Sequence, residues 1–254
     1  MTTILVVGAT GGIGHLVVAE ALREGYSTRA LVRNRAKASR LLPEDAHVIV
    51  GDVTRPETLG PAVEGADAVI LTLGSENAES AERVDYGGVR NVLEALRGRR
   101  ARVVLMTAIG LTARSGNFAQ MLDWKRRSER LVRASGLPYT IVRPGWFDYN
   151  DDGQHRLVAL QGDSRHSGTP ADGAVARRQI AQVLVHAVGS ADATGKTLEL
   201  IAETGPATID FDELFAPLER DPKDALDGVG DAPNMPLNQE PAAVREDLAA
   251  LGGR

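Results

Sequence analysis

Three glycines near the start of the chain have the spacing of a phosphate-binding turn. Gly8, Gly11 and Gly14 follow an aliphatic run at residues 4–7, which predicts a buried parallel strand, and precede a periodic apolar segment at residues 13–22, which predicts a helix. The first glycine allows a tight turn, the second lets the backbone approach a pyrophosphate, and the third lets the helix pack on the strand. Free N–H groups at the helix start then face phosphate, which predicts a dinucleotide site; the alternative is a glycine-rich structural turn. The residues predicted to contact the cofactor here are Gly8, Thr10, Gly11, Gly12, Ile13 and Gly14.

The end of the second predicted strand indicates which dinucleotide binds. Folds that prefer NAD place a carboxylate about 20 residues beyond the glycines, where it binds the ribose hydroxyls. Here the strand of residues 27–32 ends at Arg33, with Arg35 and Lys37 close behind. A guanidinium attracts a 2′-phosphate, which a carboxylate would repel. The sequence therefore predicts NADP rather than NAD. The alternative is a solvated basic start to the next helix, which the helix dipole does not favour.

Several stretches match one known superfamily. The turn Gly-Ala-Thr-Gly-Gly-Ile-Gly resembles that of the short-chain dehydrogenase/reductase superfamily, and more specifically of its atypical, NmrA-like branch. The resemblance covers about residues 1–205 and implies a Rossmann-type α/β fold, a doubly wound parallel sheet with a small C-terminal cap. The other matching stretches are residues 51–53, 84–86, 103–110, 124–125 and 139–145.

Further cofactor contacts are predicted at the carboxyl edge of the sheet, where open α/β sheets bind ligands. Leu73 continues the strand predicted over residues 67–71 to this edge. In the family that the resemblance implies, Asp52 faces the adenine, although an Asp after a strand also suits the cap of a helix beginning near Pro56. The residues predicted to contact the cofactor at this edge are Asp52, Val53, Leu73, Pro144 and Gly145.

Two of the three catalytic groups of the superfamily are absent. Ordinary members carry a Tyr and a Lys four residues apart on the helix after the fifth strand, where the ammonium lowers the phenol pKa and the Tyr transfers the alcohol proton. Lys125 fits the Lys position, but Met121 stands at the Tyr position. Ile109 stands where the substrate-orienting Ser is expected. Neither side chain transfers a proton, which argues against ordinary alcohol dehydrogenase activity.

Lys125 and Thr107 remain as candidate catalytic and cofactor-binding residues. Lys125 is predicted to hold the nicotinamide ribose hydroxyls, or else to be a solvated cation in the run that includes Arg126, Arg127 and Arg130. Thr107 follows the strand predicted over residues 102–106 and either hydrogen-bonds cofactor or substrate or merely caps the strand end. Other candidate acids, among which no spacing selects, are Tyr86, Asp123, Tyr149, His155 and His166.

Composition excludes several functional classes. The 254 residues, 43% of them hydrophobic, suffice for one substantial core, and the net charge of −5 argues against a nucleic-acid surface. The one basic run, residues 97–102, is interpreted as a solvated turn. The absence of cysteine excludes disulfides and thiolate chemistry. The chain shows neither H-E-x-x-H nor G-x-S-x-G, so we predict no metal and no common hydrolase site. No signal-like or membrane-spanning run is seen, and a cytoplasmic protein is expected.

The chain is predicted to form a single NAD(P)-binding domain over residues 1–254. One helix is predicted over residues 79–96 and another over residues 118–135, with a loop at residues 111–117. Residues 148–173 are polar apart from an apolar island and predict a long loop that covers the substrate. Together with the tail of residues 205–254, this loop is expected to form the cap.

The preferred hypothesis is an NADPH-dependent oxidoreductase of the atypical short-chain type. It transfers hydride to an acceptor that needs no enzyme-held acid, such as a quinone, a flavin or an enone, because these delocalise the incoming charge. The alternative is a non-catalytic NAD(P)-binding redox sensor of the NmrA type, and an isomerase or dehydratase role is a third hypothesis. The expected partner is a small-molecule acceptor, with a homodimer also considered and neither nucleic acid nor membrane expected.

Overall fold

The computed structural model describes residues 1–75, 77–113 and 118–252. Part of the predicted loop at 111–117 and the last two residues of the predicted tail lie outside the described residues. The strands are β1 (Thr3–Val7), β2 (Ser27–Val32), β3 (His47–Val50), β4 (Ala68–Leu71), β5 (Arg102–Met106), β6 (Tyr139–Pro144), β7 (Trp146–Phe147), β8 (Arg156–Leu160), β9 (Ala174–Val175) and β10 (Lys196–Glu203). The α-helices are α1 (Gly14–Arg23), α2 (Arg35–Leu41), α3 (Gly60–Val63), α4 (Ala78–Ser80), α5 (Gly87–Ala95), α6 (Ala119–Ala134), α7 (Arg177–Gly189), α8 (Asp212–Phe215) and α9 (Ala242–Gly252).

Eight strands form one sheet in the order β3-β2-β1-β4-β5-β6-β10-β8. All neighbours in the sheet are parallel except β8, which runs antiparallel to β10. The chain moves outward from β1 to β3 and then returns to the other side of β1, so a crevice opens at the carboxyl ends of β1 and β4. The predicted Rossmann-type fold is confirmed.

Helices cover both faces of the sheet, which is why the central strands are apolar throughout. On one face α1, α7 and α8 bury side chains such as Val17, Leu184 and Phe215. On the other face α3, α5, α6 and α9 form a second apolar cluster that includes Leu131 and Leu248. Residues 4–7 of β1 are completely buried, as a strand between two helical layers requires. The sheet edge that carries the glycine turn is therefore rigidly supported.

The segment after β6 is less of a loop than its composition predicts. Its apolar island forms β8, which pairs with β10 and extends the main sheet. β7 and β9 form a separate two-stranded sheet. The prediction that residues 148–173 form one long loop is therefore wrong at β8, because five residues gain backbone partners and bury Leu157 there. Residues 165–168 and 172 of this segment line one cavity together with residues at the carboxyl ends of β5 and β6.

The helix predicted over residues 79–96 is divided into three parts. α4 is followed by a π-helix at Ala81–Tyr86 and then by α5. The wider π turn buries Asp85, although aspartate is rarely found inside a protein without a partner. π turns of this kind occur frequently at functional sites. Periodicity alone does not distinguish such a turn from an α-helix.

Helix α6 carries buried arginines that are paired with an acidic tail, residues 221–240. Arg126 and Arg130 are 0% and 2% exposed. Arg126 Nε donates to Asp227 Oδ1 at 3.0 Å, and Arg130 Nη2 donates to Asp227 Oδ2 at 2.7 Å. Arg130 Nη1 donates to Glu240 Oε1 at 2.8 Å. The prediction that these cations are solvated is wrong, because the acidic tail covers them and supplies their counter-charges.

The same network reaches the sheet through Arg143 of β6, which is 0% exposed. Its Nη2 donates to Glu129 Oε2 and to Asp231 Oδ2, both at 2.7 Å. Its Nη1 donates to Glu199 of β10 at 3.3 Å. Burial, and then the charges of Asp163 and Asp231 against the opposing effect of Arg143, raise the pKa of Glu199 to about 7. The network joins α6, β6, β10 and the acidic tail into one unit.

No helix in the described parts of the chain combines the length and the apolar character needed to cross a membrane.

Candidate dinucleotide and substrate site

The glycine turn has a geometry that only glycine fits at two of its three positions. Gly8 has φ +85°, and a Cβ there would lie 2.8 Å from the carbonyl oxygen of Thr72. A Cβ on Gly14 would lie 2.1 Å from the carbonyl oxygen of Gly8. Gly11 is exposed, and its N–H donates to the Gly8 carbonyl at 2.9 Å. Gly8 and Gly14 therefore shape the turn, while Gly11 leaves room above it.

The N-terminus of α1 is suited to an anion. Its first turn contains no acidic residue, and Ile13 at the N-cap offers no side-chain oxygen to the free N–H groups. These groups and the helix dipole thus face the exposed turn residues Gly11 and Gly12. Together with the space above Gly11, this fits the pyrophosphate of a dinucleotide.

A cavity of about 410 Å³ opens beside this turn at the carboxyl ends of β1, β2 and β4. It is mixed in character, with apolar walls and several hydroxyl, amide and cationic groups. The predicted residues that line it are Gly8, Thr10, Gly11, Arg33, Asp52, Val53 and Leu73. The polar or charged lining residues that the sequence did not single out are Thr54, Thr72, Ser75, Asn77, Ser80 and Arg83.

The predicted cofactor residues outside this cavity fall into two groups. Gly12, Ile13 and Gly14 belong to the turn and the start of α1. Pro144 and Gly145 line a second cavity. A Cβ on Gly145 would lie 2.4 Å from the carbonyl oxygen of Gly173, so glycine is needed here for close backbone packing. Whether each of these residues contacts the cofactor stays a prediction.

Arg33 and Asp52 both line the first cavity, after the neighbouring strands β2 and β3. Arg33 is exposed, and Lys37 also lines this cavity. Burial opposes the charged form of Asp52, but hydrogen bonds from Thr54 and the nearby guanidinium of Arg33 lower the pKa of this carboxyl overall. Asp52 Oδ1 accepts from Thr54 N at 2.9 Å and from Thr54 Oγ1 at 2.8 Å. Asp52 therefore stabilises its own turn and does not cap the helix at Pro56–Thr58.

Arg33→Ala is expected to weaken NADPH binding more than NADH binding. The loss of one charge-assisted hydrogen bond to a 2′-phosphate corresponds to about 1–3 kcal/mol. Parallel titrations with the two cofactors measure the difference, with the exposed Arg35→Ala as a control. An equal loss for both cofactors would show that Arg33 does not recognise the 2′-phosphate.

Lys125 lies in a buried ion pair. It is 8% exposed, and its Nζ lies 3.1 Å from Asp85 Oδ2, which also accepts from Ser75 Oγ at 2.6 Å. Ser75 lines the first cavity, so the pair connects to that cavity through one hydroxyl. Asp85 Oδ1 is buried without a hydrogen-bond partner among the described residues. Lys125 is thus not a solvated cation, and a role toward the ribose stays a prediction.

Thr107 is also engaged within the protein. It is 3% exposed, and its hydroxyl donates to Glu129 Oε1 at 2.7 Å. Glu129 belongs to the buried network around Arg143, so the only proton of this hydroxyl is directed away from both cavities. A contact with substrate would require Thr107 to give up this bond. Its predicted catalytic role finds no support in this geometry.

A second cavity of about 510 Å³ lies at the same sheet edge, beyond the ends of β5 and β6. Met121 and Ile109, which occupy the expected Tyr and Ser positions, both line it. Phe118, Trp146 and Phe147 add aromatic walls. A largely apolar cavity with a few polar groups is the usual form of a small-molecule site.

A family model described as NAD(P)H-binding matches residues 8–191. The chain belongs to this NAD(P)H-binding family. The match begins at Gly8 and includes the residues of both cavities up to β9. The predicted resemblance is thus confirmed at the level of the NAD(P)H-binding family.

Curated relatives of this NAD(P)H-binding protein have diverse names. An uncharacterized chloroplastic protein of Arabidopsis thaliana is 29% identical over 84% of this chain and 74% of its own length. Sanguinarine reductase of Eschscholzia californica is 26% identical over 84% of this chain and 95% of its own. The photosystem II assembly factor Ycf39 of Cyanophora paradoxa is 34% identical over 62% of this chain, which spans half of that protein.

Solved structures share the fold over most of the NAD(P)H-binding chain. An NAD-dependent epimerase/dehydratase described as putative, from Bacillus halodurans, superposes with a TM-score of 0.70 at 24% identity, over 81% of this chain and 96% of that one. An anaerobillin reductase from Escherichia coli gives a TM-score of 0.63 at 25% identity, over 81% of this chain and all of that one. The family is thus one of NAD(P)H-binding oxidoreductases.

The structure separates the remaining candidate acids of this NAD(P)H-binding protein. Tyr86 donates to Asp247 at 2.8 Å, and burial followed by that carboxylate raises its pKa. Tyr149 is 63% exposed and packs edge-on against Trp146. His166 lines the second cavity, whereas His155 is exposed and does not line it.

Glu20, Glu24 and His186 are grouped closely enough to suggest a cation site. Arg23 Nη2 already lies 2.5 Å from Glu20 Oε1 and 2.6 Å from Glu24 Oε1, so its charge offsets both carboxylates. Glu20 lies on α1, Glu24 directly follows it and His186 lies on α7, and none of the three lines either cavity. The absence of a metal stays a prediction.

Proposed function

We propose that the protein is an NADPH-dependent reductase of the atypical short-chain type, acting on a conjugated acceptor such as a quinone, a flavin or an enone. The observation that carries the proposal is the second cavity, which has Met121 and Ile109 in its wall and lies at the same sheet edge as the glycine turn. An apolar, aromatic cavity suits a flat conjugated molecule. Such an acceptor delocalises the charge that accompanies an added hydride.

Bound NADPH would supply the hydride, and the chain's own residues would bind and orient the reactants. The glycine turn and the start of α1 are suited to hold the pyrophosphate. The side chains of Phe118 and Trp146 would exclude water from one side of the acceptor. The pair of Lys125 and Asp85 would keep the adjoining π-helix in place.

Cofactor preference and acceptor class each have their own support. Arg33, Lys37 and Arg83 give the first cavity three cationic side chains, which favours the extra phosphate of NADPH. The names of two related proteins, sanguinarine reductase and anaerobillin reductase, are consistent with reduction of a small molecule. The relatives named as assembly factors favour a second candidate, a non-catalytic NAD(P)-binding regulator that conveys redox state to a protein partner.

Single-turnover oxidation of NADPH distinguishes the two candidates. The decay of NADPH fluorescence is followed with quinones, flavins and enones, and cofactor mixed with each acceptor alone gives the background rate. A reductase is expected to exceed this background with at least one acceptor. A regulator is expected to leave the rate unchanged for the whole panel, and that result would overturn the proposal.

Met121→Tyr is expected to leave the reduction of conjugated acceptors roughly unchanged. The new phenol would not be activated, because Lys125 is already paired with Asp85. Reduction of an unconjugated ketone, measured by NADPH absorbance, should therefore stay at background. Met121→Leu, which keeps the apolar volume, serves as the control. A large loss of quinone reduction in the Tyr variant alone would show that the side chain at this position shapes the acceptor site.

A further inference from the structure

His166 is an ionisable side chain in the wall of the second cavity whose surroundings are those of a proton donor. It lines the cavity together with Met121 and Ile109. Its side chain is 35% exposed, so solvent reaches the ring. The sequence offers no signal for this placement, because residues 161–169 form a polar loop between β8 and a short 3₁₀-helix at Pro170–Asp172. Only the fold brings His166 into the same cavity as the residues that replace the usual Tyr and Ser.

Two buried residues hold the imidazole. His166 Nε2 lies 3.1 Å from Thr112 Oγ1 and 3.6 Å from Asp163 Oδ2. Asp163 is 1% exposed, and its carboxylate accepts from Gly110 N and from Thr112 N, each at 2.6 Å. Two backbone donors therefore fix the carboxylate beside the ring.

The hydrogen bonds also assign the proton on the neutral ring. Thr112 Oγ1 donates its single proton to the Asp163 carbonyl at 3.2 Å, so the same oxygen accepts from His166 Nε2. The neutral imidazole then carries its proton on Nε2, and Nδ1 gains and loses the second proton. No residue in the described ranges hydrogen-bonds Nδ1.

We infer that His166 is the catalytic proton donor of this site, and that the acceptor carries a conjugated carbonyl oxygen, as in a quinone or an enone. The inference rests on the proposed reductase function and narrows it. It selects carbonyl acceptors over flavins, because the proton goes to an oxygen on the acceptor. Asp163 and Thr112 act as positioning residues.

The step balances as a two-electron reduction. The acceptor forms a new bond to hydrogen with the hydride's electron pair, the nicotinamide is oxidised by two electrons, and an electron pair of the conjugated system moves to the carbonyl oxygen. An O–H bond forms there as the Nδ1–H bond of His166 breaks. Water then reprotonates the exposed ring.

Among the described residues, the charged side chains near His166 are those of Asp163, Arg165 and Asp172. Asp163 lies beside its Nε2, whereas Arg165 and Asp172 share the cavity wall with it. Arg165 Nη1 donates to the Asp172 carbonyl at 3.2 Å. The Asp172 carboxylate accepts from Ser167 N and Gly168 N, each at 2.8 Å, and these bonds lower its pKa against the effect of burial. A proton-donating imidazole is expected to lose activity with rising pH, because only its protonated form donates.

The test measures kcat/KM for 2-methyl-1,4-naphthoquinone between about pH 5.5 and about pH 9, the range over which a histidine titrates. Wild-type activity should fall as the pH rises, because only the protonated ring donates. In His166→Gln, kcat/KM should fall about 100-fold at the acidic end of this pH range, a value at the lower end of what general-acid catalysis contributes. The variant's kcat/KM should not depend on pH. His155→Gln, at an exposed histidine outside the cavity, should match the wild type.

A readout without cofactor tests the geometry separately. Nitrogen NMR of the cofactor-free protein should show the neutral His166 ring protonated on Nε2. Thr112→Val should shift the equilibrium between the Nε2-protonated and Nδ1-protonated forms of the neutral ring. A neutral ring protonated on Nδ1 would overturn the assignment. A His166→Gln variant with wild-type rate and pH profile would also overturn it while leaving the reductase function intact. If none of the tested acceptors accelerates NADPH oxidation by the wild type, the proposed reductase function is wrong and this inference is wrong with it.

Discussion

Replacement of Gly11 by valine should abolish dinucleotide binding in a protein that still folds. Gly11 is exposed at the first cavity, and a Cβ there would meet only the Gly8 carbonyl oxygen, at 3.1 Å. The backbone therefore tolerates a side chain after a small adjustment. The two methyl groups of valine would occupy the space that the pyrophosphate needs above the N-terminus of α1.

NADPH titration and thermal unfolding measure the two effects of this change. Gly60→Val on α3 is the matched control, because a Cβ at Gly60 meets no atom within 4 Å and Gly60 does not line the first cavity. Gly14→Ala gives the opposite result, a folding defect, because its Cβ would lie 2.1 Å from a backbone oxygen. Unchanged NADPH affinity in a folded Gly11→Val protein would mean that the dinucleotide lies elsewhere.

Arg143→Met should destabilise the protein by about 3–5 kcal/mol, the range for removing one partner of a buried ion pair. The guanidinium is 0% exposed and contacts carboxylates of Glu129, Glu199 and Asp231. Without it these carboxylates would repel one another in a region from which water is excluded. Methionine keeps much of the side-chain volume, so the effect reports mainly on charge.

Urea unfolding followed by circular dichroism measures this loss as a change in the free energy of unfolding. Arg156→Met is the matched control, because Arg156 pairs with Glu203 at 2.7 Å but is 56% exposed. An exposed pair contributes about 0–1 kcal/mol. If the two variants lose similar stability, the buried network does not hold the acidic tail in place.

The parts of the fold set by local sequence could be predicted from it. The aliphatic run of β1, the glycine spacing and the apolar period of α1 lie within about twenty consecutive residues and indicate the same structure. The same holds for Arg33 and Asp52, which follow strands that are easily recognised. Because parallel strands end at one edge of the sheet, the residues that follow them lie near one another, and both line the first cavity.

The features that depend on distant contacts could not be predicted. Arg126 and Arg130 have the composition of a solvated helix face, and only partners in the acidic tail bury them. β8 could not be recognised because it is a short apolar segment between polar residues. Its partner strand β10 also lies far along the chain. His166 could not be predicted either, since its place in the same cavity as Met121 depends on how the segment after β8 folds.

The acidic tail has a consequence for how the chain folds during synthesis. Arg126 and Arg130 are made about a hundred residues before their carboxylate partners, with separations of 101 to Asp227 and 110 to Glu240. Burial of a guanidinium without its counter-ion is strongly unfavourable, so we expect this face of α6 to stay hydrated on the ribosome while the sheet assembles. We expect the first βα units to form early from local contacts, and closure around α6 to wait until the tail emerges. The dinucleotide turn should then assemble before α6, whose first turns border the acceptor cavity, is fixed in place.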